Sequence, residues 1–561
     1  MKVLNLFILT LILIQIHIIF GDICGADQIK IEPKILNTTK RLKINKVPAY
    51  DSDIYTPIAI GYDFTTLDKP LTMSSSTFSS VISLLKETRE EFSKILQVKH
   101  RNIDLSDDLK YIMETCTLEK IGKDYPNFLI NNDIIIFPIF QKLEPGVIAA
   151  ASPCLWGEIN RPYGGILLIN TDLDLNRANA HLYMKNIFFH EITHILAFHP
   201  SIFQLKNMMK KVGNMNYLIS KNVIKRAKEH FDCSSLTQIP LENQGGEGNA
   251  GYHWEARYML GDYMISTDYP DVAISNITLA VFEDTGFYKV NYYSAGLFKY
   301  GKNKGCDFFE RKCIANKKVQ FDEFCDVTDE PRCSFSMTLK SSCFLVYHLT
   351  NLPEQYQYFS DKTRGGYPAA SYCPVPYEPH SSYSYYQHHC QFGISTLPSD
   401  YGETIGKESF CFMSSLIPNN SKEVLEYQIP ICYAVECNEE KKRIILKIGS
   451  ENITCPTNGG TVSRIDRFNG TIECPKYEEI CLTTNKENYK CNEMFNCFTE
   501  LAYKNNYSYD IIYYDYDGPT AEISYGNDTY DDDDIHIYKS GSNNIEINLA
   551  VFLFSMVLFF D

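Results

Sequence analysis

The placement of nineteen cysteines along 561 residues constrains the fold of this chain more than any other feature. Between residues 50 and 300 there are only Cys116, Cys154 and Cys233, whereas fifteen fall between Cys306 and Cys497, and Cys24 stands alone near the start. Clustering of this kind is the mark of a disulfide framework around loop-rich structure in an oxidising compartment. The cysteine-poor stretch must instead rely on a conventional apolar core, and 44% hydrophobic against 22% charged residues is enough to supply one. A formal charge of −16 argues against a nucleic-acid partner, which needs a concentrated basic surface. Nine of the acids lie between residues 510 and 534 with no Lys or Arg among them, so the folded body is only mildly acidic.

Both ends read as addresses. Lys2, an apolar run over residues 3–20 and Gly21 before Asp22 have the order of a secretory signal peptide. Export agrees with seven N-x-S/T sequons, at Asn37, Asn276, Asn419, Asn452, Asn469, Asn506 and Asn527. Residues 549–560 are twelve apolar positions interrupted only by Ser555. As a helix they would span about 18 Å, short of a hydrocarbon core of about 30 Å. Ser540, Gly541 and Ser542 followed by a polar spacer complete the pattern of a GPI-attachment signal, with the lipid expected near residues 540–543.

Within residues 50–300 the periodicities alternate. Phe78, Val81, Leu85, Phe92 and Ile95 recur at helical spacing, and residues 134–137 and 166–169 are short apolar runs that read as strands. Pro145, Gly146 and the Gly164-Gly165 pair are expected at turns. Phe189, Ile192, Ile195 and Leu196 make a second helical stripe, which Pro200 is expected to stop. Helices and strands in one region predict an α+β fold.

That second helix carries His190-Glu191-Ile192-Thr193-His194. Residues four apart share a helical face, so both imidazoles can reach one ion, and Glu191 can accept a proton from a water held there. Zinc suits this donor set, because it takes imidazole ligands, has no redox chemistry and keeps a position open for water. A third protein ligand is then required. His199 is rejected, being five residues beyond His194 and next to Pro200. Residues 244–253 read QGGEGNAGYH, a glycine-rich approach that ends on His253, and Met264 follows eleven residues later. Glu247 and Glu255 remain alternative third ligands.

These motifs resemble leishmanolysin, a surface metzincin protease family whose third zinc histidine is displaced by a long insertion after H-E-x-x-H. The resemblance extends to Ala151-Ser152-Pro153-Cys154, to residues 163–170, to Phe282-Glu283-Asp284-Thr285-Gly286-Phe287-Tyr288 and to the cysteine framework from Cys432 to Cys481. It implies His190, His194 and His253 as ligands of one Zn2+, Glu191 as catalytic base and Met264 as the Met-turn residue. It further implies a metzincin-type catalytic domain with a disulfide-rich C-terminal region and protein or peptide substrates, while the C-terminal signal read above implies a membrane tether through the lipid anchor.

The expected organisation is a signal peptide (1–21), a short prosegment (22–50), an N-terminal catalytic subdomain with the active-site helix (51–200), and an insertion with the third ligand and Met-turn (201–300). A cysteine-rich region (301–500), an acidic stalk (501–543) and the apolar tail (544–561) follow. Nineteen is odd, so one thiol cannot pair within the chain, and Cys24 is the expected one. In similar proteases a prosegment thiolate occupies the open position of the zinc, which makes Cys24 a candidate latency thiol. Ala197 departs from the glycine that the family generally keeps there; the helix is expected to continue to Phe198 instead of turning. The alternative from another class is a surface adhesion protein with little or no activity that keeps zinc as structure, and adhesion alongside proteolysis fits the same surface location.

Other features have blander readings. His388-His389-Cys390 is expected to be a disulfided cysteine beside two exposed histidines rather than a second metal site. Lys210, Lys211, Lys221, Lys225, Arg226 and Lys228 give the insertion a basic face, and Ile219, Val223, Ala227 and Phe231 the buried side of a packed helix. Trp254 and Glu255 adjoin a ligand and serve either to orient it or simply to pack. Asp531 to Asp534 lack the glycine and spacing of a calcium loop.

Overall fold

The structure, a computed structural model, describes residues 55–481 except 100–108, 121–131, 244–249, 378–387, 422–424 and several shorter breaks. The leader, prosegment, stalk and tail lie outside the described residues, as do Cys24, Cys491, Cys497 and Glu247.

A four-stranded sheet runs in the order Ile60–Tyr62, Ile134–Gln141, Pro162–Asn170, Ala149–Trp156. The first three strands are mutually parallel and the last is antiparallel to its neighbour. Pro162–Asn170 and Ala149–Trp156 are buried along their whole length, which is why they read as apolar runs without alternation. Two helices pack with this sheet. Ser75–Ile95, capped by the Ser74 hydroxyl on Thr77 N, buries Val81, Leu85, Phe92 and Ile95. Ala180–Leu196 is buried without a break from Asn186 to Leu196, so its second half has no solvent face. Their rings Phe92 and Phe189 stack 4.1 Å apart.

Gly164 and Gly165 do not form the expected turn; both lie inside the strand Pro162–Asn170. A Cβ on Gly165 would come within 2.4 Å of Ile195 Cγ2, so glycine is what lets the helix rest directly on the sheet. Nor does Pro200 stop this helix. It ends at Leu196, and Pro200 opens the next helix, Pro200–Leu205, where its missing N–H leaves no partner unmet. The expected helical continuation to Phe198 does not occur. Ala197 N and Phe198 N both donate to Thr193 O, at 2.9 Å each, and the chain leaves the helix without a positive φ at Ala197. A glycine is therefore not required there.

After the helix Pro200–Leu205 comes a hairpin, Met209–Val212 paired to Met215–Leu218, that carries Lys210 and Lys211. The helix Lys221–Phe231 follows and buries Val223, Ala227 and Phe231. Ile219 precedes that helix and is exposed, so the expected stripe is one residue shorter. Asp284, at the end of the helix Asn276–Asp284, accepts from Asn222 N and Val223 N at 2.9 Å and caps the inserted helix. The apolar core of this region continues through Phe308 and Phe324 to Tyr377.

Residues 409–474 build a six-stranded antiparallel sheet in the order Glu451–Thr454, Arg443–Ile448, Ile429–Asn438, Ser409–Ser414, Ile472–Cys474, Gly460–Val462. It has its own core around Phe412, Ile431, Tyr433, Leu446 and Ile472. Among the described residues eight disulfides form: 116–154, 233–306, 313–373, 325–343, 333–411, 390–432, 437–481 and 455–474. Six of them lie wholly in the cysteine-rich stretch, whose core is small and whose strands are short. No helix among the described residues is long and apolar enough to cross a membrane.

Candidate metal centre

The helix Ala180–Leu196 buries His190 and His194 on one face, and the chain returns through the insertion to set His253 against them. One nitrogen from each of the three imidazoles lies within 4.8 Å of the others, and all three residues are buried. Ring centroids are 4.7 Å apart for His190 and His194, 5.3 Å for His190 and His253, and 5.0 Å for His194 and His253.

The other nitrogen of each ring is held by an acceptor. His190 Nδ1 lies 2.6 Å from Tyr263 O, His194 Nδ1 2.7 Å from Phe198 O, and His253 Nδ1 3.1 Å from Glu242 Oε2. A backbone carbonyl can only accept, so Nδ1 carries the proton in His190 and His194, and each Nε2 presents a lone pair. Those two Nε2 atoms face one another at 3.0 Å. Two lone pairs so placed in a buried site repel, and a cation between them removes the repulsion. Zinc–nitrogen bonds of about 2.0–2.1 Å require nitrogen separations near 3.3 Å, so the donor set fits the ion with small adjustment. Burial keeps the rings neutral, as ligands must be. It lowers His190 to about 3, helped by the neighbouring His253, and drives His194 well below its ordinary value.

A second layer of hydrogen bonds positions the three imidazoles. Glu242, paired to His253, also accepts from Ser266 Oγ at 2.8 Å, and burial pushes its carboxyl up to about 8. Its backbone N donates to His253 O, and its carbonyl accepts from Gly251 N, both at 2.8 Å. Gly251 sits at φ +90, a conformation that suits glycine and turns the chain immediately before His253. Met264 is fully buried; its carbonyl accepts from Trp254 N at 3.0 Å, and its own N donates to Asp262 Oδ1 at 2.8 Å. Asp262 also accepts from Thr278 Oγ1, which in turn accepts from Trp254 Nε1, both at 2.7 Å. Trp254 therefore does more than pack. It joins the segment that carries His253, the turn at Met264 and the helix Asn276–Asp284 in one network.

Glu191 is fully buried beside His190 on the same helix. His199 is elsewhere: it caps the helix Pro200–Leu205 through Ser201 N, and its Nε2 lies 3.5 Å from Ser152 Oγ. Glu255 is buried, but its carboxylate accepts from Ser371 Oγ at 2.7 Å and contributes nothing to the donor group. Glu247 and Cys24 lie outside the described residues. Cys390 is disulfide-bonded as expected, its partner being Cys432, yet His389 is buried rather than exposed, its Nδ1 accepting from Gln391 N. Sequence reasoning passed over Glu242 and Asp262. A lone Glu eleven residues before a ligand has no spacing rule to mark it, and an acid two residues before a methionine resembles any turn.

A family model described as leishmanolysin matches residues 68–488. The chain is 29% identical over 377 residues to a leishmanolysin homolog of Crithidia fasciculata, covering 64% of this chain and 56% of that protein. It is 27% identical over 370 residues to leishmanolysin of Leishmania major, covering 63% and 60%. A leishmanolysin-like peptidase of Drosophila melanogaster is 28% identical over 311 residues, covering 49% of this chain and 45% of that protein. The chain thus spans about half to three-fifths of the length of these relatives.

Proposed function

Because the chain belongs to the leishmanolysin family, whose members are zinc metalloendopeptidases, we propose that it is itself a metzincin-type endopeptidase acting on extracellular or surface proteins. The observation that carries this reading is the buried convergence of His190, His194 and His253, with the outer nitrogen of each ring held by an acceptor. Those three side chains would hold one zinc ion. When bound, it would supply Lewis acidity that polarises the scissile carbonyl and brings the pKa of water to about 7.

The protein's own groups would supply the remaining chemistry. Glu191 takes the proton of the attacking water and delivers it to the leaving amine, a transfer worth about 10²–10⁴ in rate. Its full burial beside His190 strengthens each electrostatic contact it makes. Glu242 and the carbonyls of Tyr263 and Phe198 fix the ring orientations, so no reorganisation is needed during reaction. Met264 anchors the segment beneath the third ligand through its bonds to Trp254 and Asp262. The test is digestion of a denatured protein and a peptide library by the purified protein, with products read by mass spectrometry. Stoichiometric zinc with no cleavage would favour the adhesion reading.

The surface setting belongs to the same proposal. The leader is removed after about Gly21, lipid attaches near residues 540–543, and Cys24 keeps the proform latent. The sequons at Asn276, Asn419, Asn452 and Asn469 are all exposed, as glycan acceptors must be. Intact residues 549–560 on the native protein would rule out the anchor. A Cys24→Ser proform no more active than wild type would rule out the thiol switch.

A further inference from the structure

The insertion that delivers His253 has a charge opposite to that of the whole chain. Residues 206–228 contain seven basic side chains and no acid, in a protein of net charge −16. Lys206 lies over the Phe287 ring and Arg226 pairs with Glu229. Among the described residues Lys210, Lys211, Lys221, Lys225 and Lys228 enter no ion pair, and Lys210, Lys211, Lys221 and Lys225 are exposed.

The hairpin part of this surface touches the segment that leads to His253. Asn216 on the strand Met215–Leu218 accepts from Leu241 N through its carbonyl at 2.9 Å. Its side chain lies against Gly251, where a Cβ would meet Nδ2 at 3.0 Å. Gly251 is two residues from His253. Lys211 is the direct cross-strand partner of Asn216, and directly opposed residues in an antiparallel pair project to the same face. Lys211 therefore projects to the face of the hairpin from which Asn216 reaches Gly251, with the strand Met215–Leu218 and residues 241–242 between its own strand and the His253 segment. Lys210, paired with Tyr217, is the next residue along the strand and projects to the opposite face, adding its charge to the exposed hairpin.

We propose that this hairpin is a specificity-determining surface which receives acidic residues of the polypeptide substrate flanking the scissile bond. The proposal rests on the endopeptidase reading above. An acidic polypeptide is the fitting partner because the hairpin lysines are exposed and enter no ion pair among the described residues, and Lys211 shares its face with Asn216, which touches the segment leading to His253. An isolated polyanion site would need no such proximity. Exposed lysines raise encounter rates and lower KM through long-range attraction, with little effect on the chemical step.

The test uses fluorogenic peptides with one cleavable core, flanked on either side by Asp-Glu-Asp or by Asn-Gln-Asn. On one side the acidic flank should raise kcat/KM by about tenfold at low salt, through KM. The gain should shrink severalfold in 0.5 M salt, where screening acts within about 4 Å. K210E/K211E should invert the preference while cutting the neutral peptide as wild type does, with unchanged zinc content, and K210Q/K211Q should make the two flanks equal. Equal rates on both peptides with wild type, or a preference that survives K210E/K211E, would overturn the proposal. So would a sulfated glycan that binds wild type and not K210E/K211E when no flank preference exists. If wild type cuts no peptide at all, the endopeptidase reading has failed, and this proposal with it.

Discussion

Replacing Glu242 probes the centre without touching a ligand. Its carboxylate joins His253 Nδ1 at 3.1 Å to Ser266 Oγ at 2.8 Å, in a site closed to solvent. Glu242→Gln keeps a carbonyl oxygen to accept from His253 Nδ1, and its amide can donate to the Ser266 hydroxyl, so what it removes is the carboxylate's charge behind the imidazole. Glu242→Ala loses both and leaves two buried donors unmet, at about 1–3 kcal/mol each for folding. Partners of metal-bound histidine are typically worth 10–100-fold in metal affinity, or about 1.4–2.7 kcal/mol. The expected weakening of zinc binding is therefore about tenfold for Gln and up to about a hundredfold for Ala. Competition against a fluorescent chelator reads the affinity, and a melt of the metal-free protein separates the folding cost from the binding cost. Zinc affinity within twofold of wild type in both variants would refute the claim that Glu242 orients the third ligand.

Other outcomes follow from the same geometry. Gly165→Ala places a methyl 2.4 Å from Ile195, so the ligand helix must shift; a loss of about 1–3 kcal/mol in chemical denaturation is expected, with weaker zinc binding. His253→Ala should abolish tight zinc binding in metal analysis while His199→Ala leaves it near normal, because only the former belongs to the donor group. The metal-free protein should be most stable near pH 6.5. Below that value the unfolded chain takes up protons at histidines that burial holds at about 3 in the fold (His190, His199 and His389), so stability falls as pH falls. Above it, Glu242 and Glu255, which burial raises to about 8 against an ordinary 4.5, lose protons in the fold that the unfolded chain has already lost, so stability falls as pH rises towards 8. Thermal melts across pH 5 to 8.5 check both limbs.

The ligand helix was legible because a 3.6-residue period and a four-residue histidine spacing report the same object, and the structure keeps both. The convergence of His253 on that pair was legible through glycine, since a chain bending at Gly251 before a buried histidine needs a backbone that few residues adopt. The Gly164-Gly165 pair misled for a related reason. Glycine marks either a turn or a close approach, and only the packing of Ile195 on the strand decides which. Pro200 carried the same ambiguity between ending one helix and opening another. The disulfide pairs and the network from Trp254 through Thr278 and Asp262 to Met264 have no local signature, because their members are brought together only by the tertiary fold. His389 was expected to be exposed from its polar neighbours and is instead enclosed next to the Cys390–Cys432 bridge.

The most direct test is cleavage of a quenched peptide by the purified protein before chelation, after chelation and after zinc is restored, with Glu191→Ala carried through the same cycle. The expected result is activity that disappears with the chelator and returns with about one zinc per chain. Glu191→Ala should bind zinc normally yet cleave at least about a hundredfold more slowly. Cleavage that survives chelation, or Glu191→Ala that cuts as fast as wild type, would contradict the assignment of peptide hydrolysis to this centre.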